Sequence, residues 1–256
     1  MTTAPPRPAT RAAAPARRIL AQAGFETSTL LRNGEQLLVS MVLPALVLVG
    51  LYATDSPSLG PGERIDVAVP GVIALCVISA SFTSQAISTG FDRRYAVLRY
   101  LGTTPLGRGG LVTAKVVATL AVEILQIAVI AALGVALGWR PDLSGLPYAV
   151  LFVIVGTWAF VALALLLAGT LRAEAVLALA NLLWVLLLVG GGVVVPRTQL
   201  PDGLSAVAAL LPSAGLADGL RSALVEGTLN LPALGVVVVW GALATALAVR
   251  FFRFDD

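Results

Sequence analysis

The sequence predicts an all-α membrane protein with about six transmembrane helices, and three observations carry that reading. Of 256 residues, 58% are hydrophobic and only 12% are charged, whereas soluble domains run about 25% charged. The apolar residues gather into runs near the roughly 20 residues that a helix needs to cross the hydrocarbon layer. The arginines flank those runs instead of forming one basic face, so the net charge of +3 reports topology and does not call for nucleic acid.

Residues 1–15 combine Pro, Ala and Arg without apolar periodicity and are expected to be a disordered cytoplasmic tail. No uninterrupted apolar run appears before Leu37, so no cleaved signal peptide is expected. From 16 to 33, Ile19, Leu20, Ala23, Thr27, Leu30 and Leu31 recur at three- and four-residue steps, while Arg17, Arg18, Gln22, Glu26 and Arg32 take other faces. That pattern predicts an amphipathic helix suited to the membrane interface, or a short helix packed on a partner.

Spans are expected at 37–53, where Pro44 could bend the helix, then at 67–91, 110–137, 146–171, 175–195 and 231–249. Thirteen of the 17 Lys and Arg residues fall in one alternate set of flanks, and only Arg64, Arg140, Arg197 and Arg221 in the other. Short cytoplasmic loops retain Lys and Arg, so both termini are expected in the cytoplasm and the number of crossings is even. Between the fifth and last spans, Leu204, Val207, Ala208 and Leu211 fit one short amphipathic helix, Pro212 breaks it, and Leu216, Leu220, Ala223 and Leu224 fit another. Short re-entrant helices dipping into the outer leaflet suit this segment, and a compact extracellular cap is the alternative.

Chemistry is narrowed by what the chain lacks. Histidine is absent and the single Cys76 lies in an apolar run, so disulfides, metal sites and Ser-His or Cys-His catalysis are not expected. Within the spans, Glu123 and the nearby Gln126 are costly to insert and so face protein or water. Ser81, Ser84, Gln85 and Ser88 share one helical face of the second span, as a helix lining a path would present them. Asn181 is a lone polar group in the fifth span. Interhelical hydrogen bonding is the plainer role for all of these residues.

The connection "DRRYAVLRYLGTTPLGRGG" at 92–110 is basic and carries Tyr95, Val97, Leu98 and Leu101 beside Arg93, Arg94 and Arg99. A short helix with a cationic and an apolar face fits it, ended by Gly102 and the Thr-Thr-Pro turn. Such a helix could bind lipid headgroups. Its Arg and aromatic residues are also the types enriched in protein-interface hot spots.

The longer stretch "FDRRYAVLRYLGTTPLGRGGLVTAK" resembles the loop between the second and third spans of ABC-2 type transporter permeases, with its charged helix, TPL turn and small-residue start to the next span ending in Lys. The family loop often reads E-R-x-x-G-T, and here Asp92-Arg93-Arg94-Tyr95-Ala96-Val97 keeps the acid and Arg without the Gly-Thr pair. The resemblance implies a single ABC-2 type transmembrane domain over 16–256, similar to the daunorubicin-resistance type, in a bacterial cytoplasmic membrane. It further implies an exporter of amphipathic drug or lipid-like cargo working by alternating access. Two ATP-binding cassette subunits would carry the ATP and Mg, and a second copy or a homologous permease would complete the dimer. Membrane lipids are the remaining partners.

In that frame Arg93, Arg94, Tyr95, Leu98, Arg99 and Leu101 form a coupling helix against the ATPase. Ser81, Ser84, Gln85, Ser88, Glu123 and Asn181 are candidates for the translocation path. The chain holds no G-x-x-x-x-G-K-S/T phosphate loop, and its only lysine, Lys115, lies at the start of a span. Two other classes stay open: an ion-coupled secondary transporter with Glu123 as the coupling residue, and an intramembrane lipid-modifying enzyme.

Overall fold

The computed structural model describes residues 13–32 and 34–251. Most of the expected disordered tail, residues 1–12, lies outside the described residues. Helix α1 (Pro15–Arg32) turns Ile19, Ala23, Thr27 and Leu30 inward and leaves Leu20, Phe25 and Leu31 exposed. It runs along the first half of α6 (Gly107–Ala136): Ile19 lies beside Gly110, Glu26 reaches Lys115, and Leu30 and Val122 line one cavity. Protein therefore takes up the inward face of this amphipathic helix.

Helix α2 (Gly34–Ala53) contains Pro44, as the sequence predicts, and its apolar stretch is Ser40–Ala53. The second span, Arg64–Arg94, is built from three pieces: α3 (Arg64–Ile78), a π-helical turn at Ser79–Ser84 and α4 (Gln85–Arg94). Tyr95 and Ala96 then turn the chain, Ala96 in a left-handed conformation (φ 61°), into the short α5 (Val97–Gly102). Beyond α6 come α7 (Leu146–Thr170), α8 (Ala173–Gly190), α9 (Asp202–Ala208), α10 (Pro212–Glu226) and α11 (Leu231–Phe251).

Among the described residues five helices are long and apolar enough to cross a membrane: Arg64–Arg94, Gly109–Ala136, Leu143–Thr170, Ala173–Gly190 and Leu231–Phe251, and the bent α9–α10 pair would make a sixth if it is one span. Helix α2, with a shorter apolar stretch, packs on α3 and α6. Its middle meets α6 where Gln126 Nε2 donates to Ser40 O (3.3 Å), and near its end Leu51 O accepts from Arg64 Nε. The chain thus passes back and forth between two ends. At one lie α5, the start of α6 and the α7–α8 turn, joined by Arg93 and Arg94. At the other lie the α2–α3 and α6–α7 connections and everything between α8 and α11, joined by contacts such as Ser58–Gln199 and Asp142–Leu224.

Helices α9 and α10 meet at 94° and form a re-entrant pair. A Cβ on Gly156 would meet Leu216 of α10 at 2.8 Å, and Gly156 lies ten residues inside α7, about 15 Å from its start. Helix α10 therefore begins deep in the bundle and rises to its mouth, where a Cβ on Gly145 would come within 1.8 Å of Ala223 O. Leu216, Ala217 and Leu220 are fully buried against α3, α7 and α11. The bend stays satisfied because Trp240 Nε1 donates to Leu210 O (2.9 Å). That depth decides for re-entrant helices over a surface cap.

Candidate functional site

Polar side chains collect where α1, α4 and α6 converge. On α6, Lys115 and Thr119 are one turn apart, so both face the α1–α4 side. The Lys115 side chain is 3% exposed; its Nζ lies 3.3 Å from Glu26 Oε2 of α1 and 3.8 Å from Asp92 Oδ2 of α4. Gln85 Oε1 takes a third position at 3.5 Å, while Gln85 Nε2 donates to Thr119 Oγ1 (2.9 Å) and Thr119 Oγ1 to Lys115 O (2.8 Å). A buried ammonium must be paired to be tolerated, and here one cation answers two acids from two helices. Above this junction, Leu30, Ser40, Ser79, Ser84, Gln85, Thr119, Val122 and Gln126 line a cavity of about 80 Å³. Gln126 Oε1 is buried without a hydrogen-bond partner among the described residues, and the space is large and polar enough to hold water.

The loop between α4 and α6 hangs from this junction. Asp92, in the last turn of α4, and Lys115, about two turns into α6, lie against each other beneath its base. Arg18 of α1 donates to Pro105 O and steadies the far side. Outward, the loop presents Tyr95 and Tyr100, 70% and 73% exposed, with Val97 and Arg99 beside them. The ABC-2 type transporter family model matches residues 18–225, from within α1 to the last turn of α10.

The chain belongs to the ABC-2 type transporter family. It is accordingly a multi-pass membrane permease of an ABC transporter, a transport subunit of a family that works with ATP-binding cassette subunits. No curated protein matches the chain.

Within this ABC-2 permease the expected loop residues divide between surface and interior. Leu98 is fully buried on Leu111, Val161 and Leu165, and Leu101 packs against the same cluster. Arg93, 7% exposed, donates through Nη1 to Ala168 O (2.8 Å) near the C-terminus of α7, where a cation also complements the helix dipole. Arg94 is exposed and pairs with Glu174 at the start of α8. Tyr95 and Arg99 are left on the outside, joined by Tyr100, which the two-faced helix reading passed over.

Of the expected path residues, Ser84 and Gln85 line the cavity, Ser81 is buried and bonds Val77 O, and Ser88 donates to Gln85 O (3.3 Å). A π turn at Ser79–Ser84 puts i→i+5 spacing into the middle of this span. Asn181 lies on the exposed side of α8 and donates to Leu177 O of its own helix (2.9 Å).

Glu123 is completely buried, and its Oε2 neighbours the Thr157 hydroxyl of α7, which also reaches Val153 O at 2.7 Å. A hydroxyl has one proton, so Thr157 donates to one of these at a time. Among the described residues no ion pair involves Glu123, and its Oε1 has no hydrogen-bond partner. No group of metal-ligating side chains occurs among the described residues.

Sequence reasoning missed the junction itself. Lys115 is the only lysine and Asp92 opens the basic segment, which were signals. Glu26 gave none, because its position on α1 reads as an ordinary solvated face.

Proposed function

We propose that this chain is the membrane subunit of an ATP-driven exporter in a bacterial cytoplasmic membrane, moving an amphipathic, drug-like or lipid-like cargo. Two such chains, or this chain and a homologous permease, carry two ATP-binding subunits that hold the ATP and Mg. Both termini and α5 face the cytoplasm, and the α9–α10 pair faces outward. The observation that carries this reading is the exposed Tyr95–Val97–Arg99–Tyr100 surface on a loop closed at its base. Aromatic and Arg residues together are what protein interfaces use as anchors, and a loop tied to α4 and α6 can pass a push to both. The arginine asymmetry supports the orientation.

Two experiments test this. Affinity purification of the chain from its native membrane should bring an ATP-binding subunit with it. Tyr95→Ala with Tyr100→Ala should weaken that association by about 2 kcal/mol, roughly thirtyfold, while the spans still insert. If the double mutant holds the ATPase as tightly as the parent, the loop is a lipid-surface element. Single cysteines at 58, 94 and 203 in a Cys76→Ala background should react with an impermeant thiol reagent on intact cells only at 58 and 203. Reaction at 94 would reverse the topology.

A further inference from the structure

We propose that Lys115 is the positioning residue that carries movement of the α5 loop to α1, α4 and α6 together, by shifting its ammonium between Asp92 and Glu26. The proposal rests on the reading above, in which that loop docks the ATP-binding subunit.

Three observations lead here. The two acids come from different helices and lie at 3.8 and 3.3 Å from one Nζ, so neither holds the ammonium alone. The lysine head is a compact point charge on a flexible four-carbon stem, which can turn from one acid to the other without rebuilding the helix beneath it. Gln85 Oε1, at 3.5 Å, and the adjoining polar cavity offer a stopping place in between.

The position of the junction gives this freedom a use. Asp92 sits at the end of α4 just before Tyr95, so a displacement of the docked loop moves Asp92 first. Lys115 lies on α6, about two turns beyond the point where the same loop becomes that helix. Glu26 has no covalent continuity with the loop, and α1 touches it otherwise through Arg18 and Pro105. A pull on Asp92 therefore loosens one of two bonds to a buried cation, and the remaining bond drags or frees α1. A cluster built only for rigidity would stay closed in every state of the cycle.

The protein supplies its own reporter, because Lys115 is its only lysine and is almost fully shielded. The complex of the permease with its ATP-binding subunit, in lipid nanodiscs, is treated with a water-soluble N-hydroxysuccinimide acetate. Acetylation of the peptide bearing Lys115 is followed by mass spectrometry without nucleotide, with ATP and Mg, and after trapping with vanadate. Lys115 should react slowly in the resting complex and at least tenfold faster in one nucleotide state. Asp92→Asn should abolish that difference while the ATPase stays bound, since the loop no longer holds the ammonium. Equal reactivity in every nucleotide state, or a full nucleotide response in Asp92→Asn, would overturn the proposal and leave the docking reading intact. Failure of any ATP-binding subunit to associate overturns both.

Discussion

The two ends of the bundle carry ionic triads of opposite sign. At the α5 end one cation, Lys115, stands between the acids Glu26 and Asp92. At the other end one acid, Asp218, stands between Arg197 and Arg221. The second triad is anchored to backbone: Arg221 Nη1 donates to Gly192 O (2.8 Å) and Nη2 to Val193 O, pinning the unwound chain after α8 to the re-entrant helix. The first joins three helices through side chains alone among the described residues. A planar guanidinium fork held by fixed carbonyls preserves a shape, whereas a point charge shared between two side-chain acids can change partner. The difference separates a region built to stay from one able to move.

That contrast can be broken or sharpened by mutation, read as thermal unfolding in detergent. The largest loss is expected for Arg221→Ala, which strands two carbonyls and leaves Asp218 with Arg197 alone, about 3 kcal/mol. Arg221→Lys should recover little, because an ammonium cannot span both carbonyls. If Arg221→Lys is as stable as the parent, the anchor is only a charge.

Lys115→Met should lower stability by less, about 1 to 2 kcal/mol, because Asp92 keeps a 38% exposed side chain that water can solvate. A loss matching that of Arg221→Ala would make the two triads equivalent. Glu123→Gln should cost under about 1 kcal/mol, since the amide oxygen can still accept from Thr157; a large loss would show that the charge itself matters. Smallest of all is Arg94→Ala, whose partner Glu174 is two-thirds exposed. Such pairs contribute roughly 0 to 1 kcal/mol, and its effect should vanish in high salt.

Much of this was legible in the sequence because apolar runs of span length have few alternatives in a bilayer. The long apolar spans, the amphipathic α1 and the break at Pro212 all follow from patterns within one segment. What escaped depends on partners distant in the chain. Leu98 and Arg93 look like surface residues of a short charged helix, yet α7 supplies a pocket for one and a carbonyl for the other. The π turn at Ser79–Ser84 is written mostly in ordinary small residues, so nothing in the pattern announces it. Lys115 reads as one more cytoplasmic-side cation because its acid Glu26 is 89 residues away. Helix α10, with Ser213, Asp218 and Arg221, is too polar to announce its depth; its depth is set by walls that α3, α7 and α11 provide.

Those walls impose an order of assembly. Helix α10 leaves the ribosome before α11, yet part of its berth is α11 itself: a Cβ on Gly215 would already press on Ala233 and Val237. The carbonyl at the bend, Leu210 O, also waits for the indole of Trp240. Too polar to partition alone, α10 has no stable place in the membrane until the last helix has been made and inserted. Closing the α10 end of the bundle is thus completed only by the last helix, and a chain cut short before α11 is left open where a finished one is sealed. Such a chain leaves the Leu210 carbonyl without the indole that answers it.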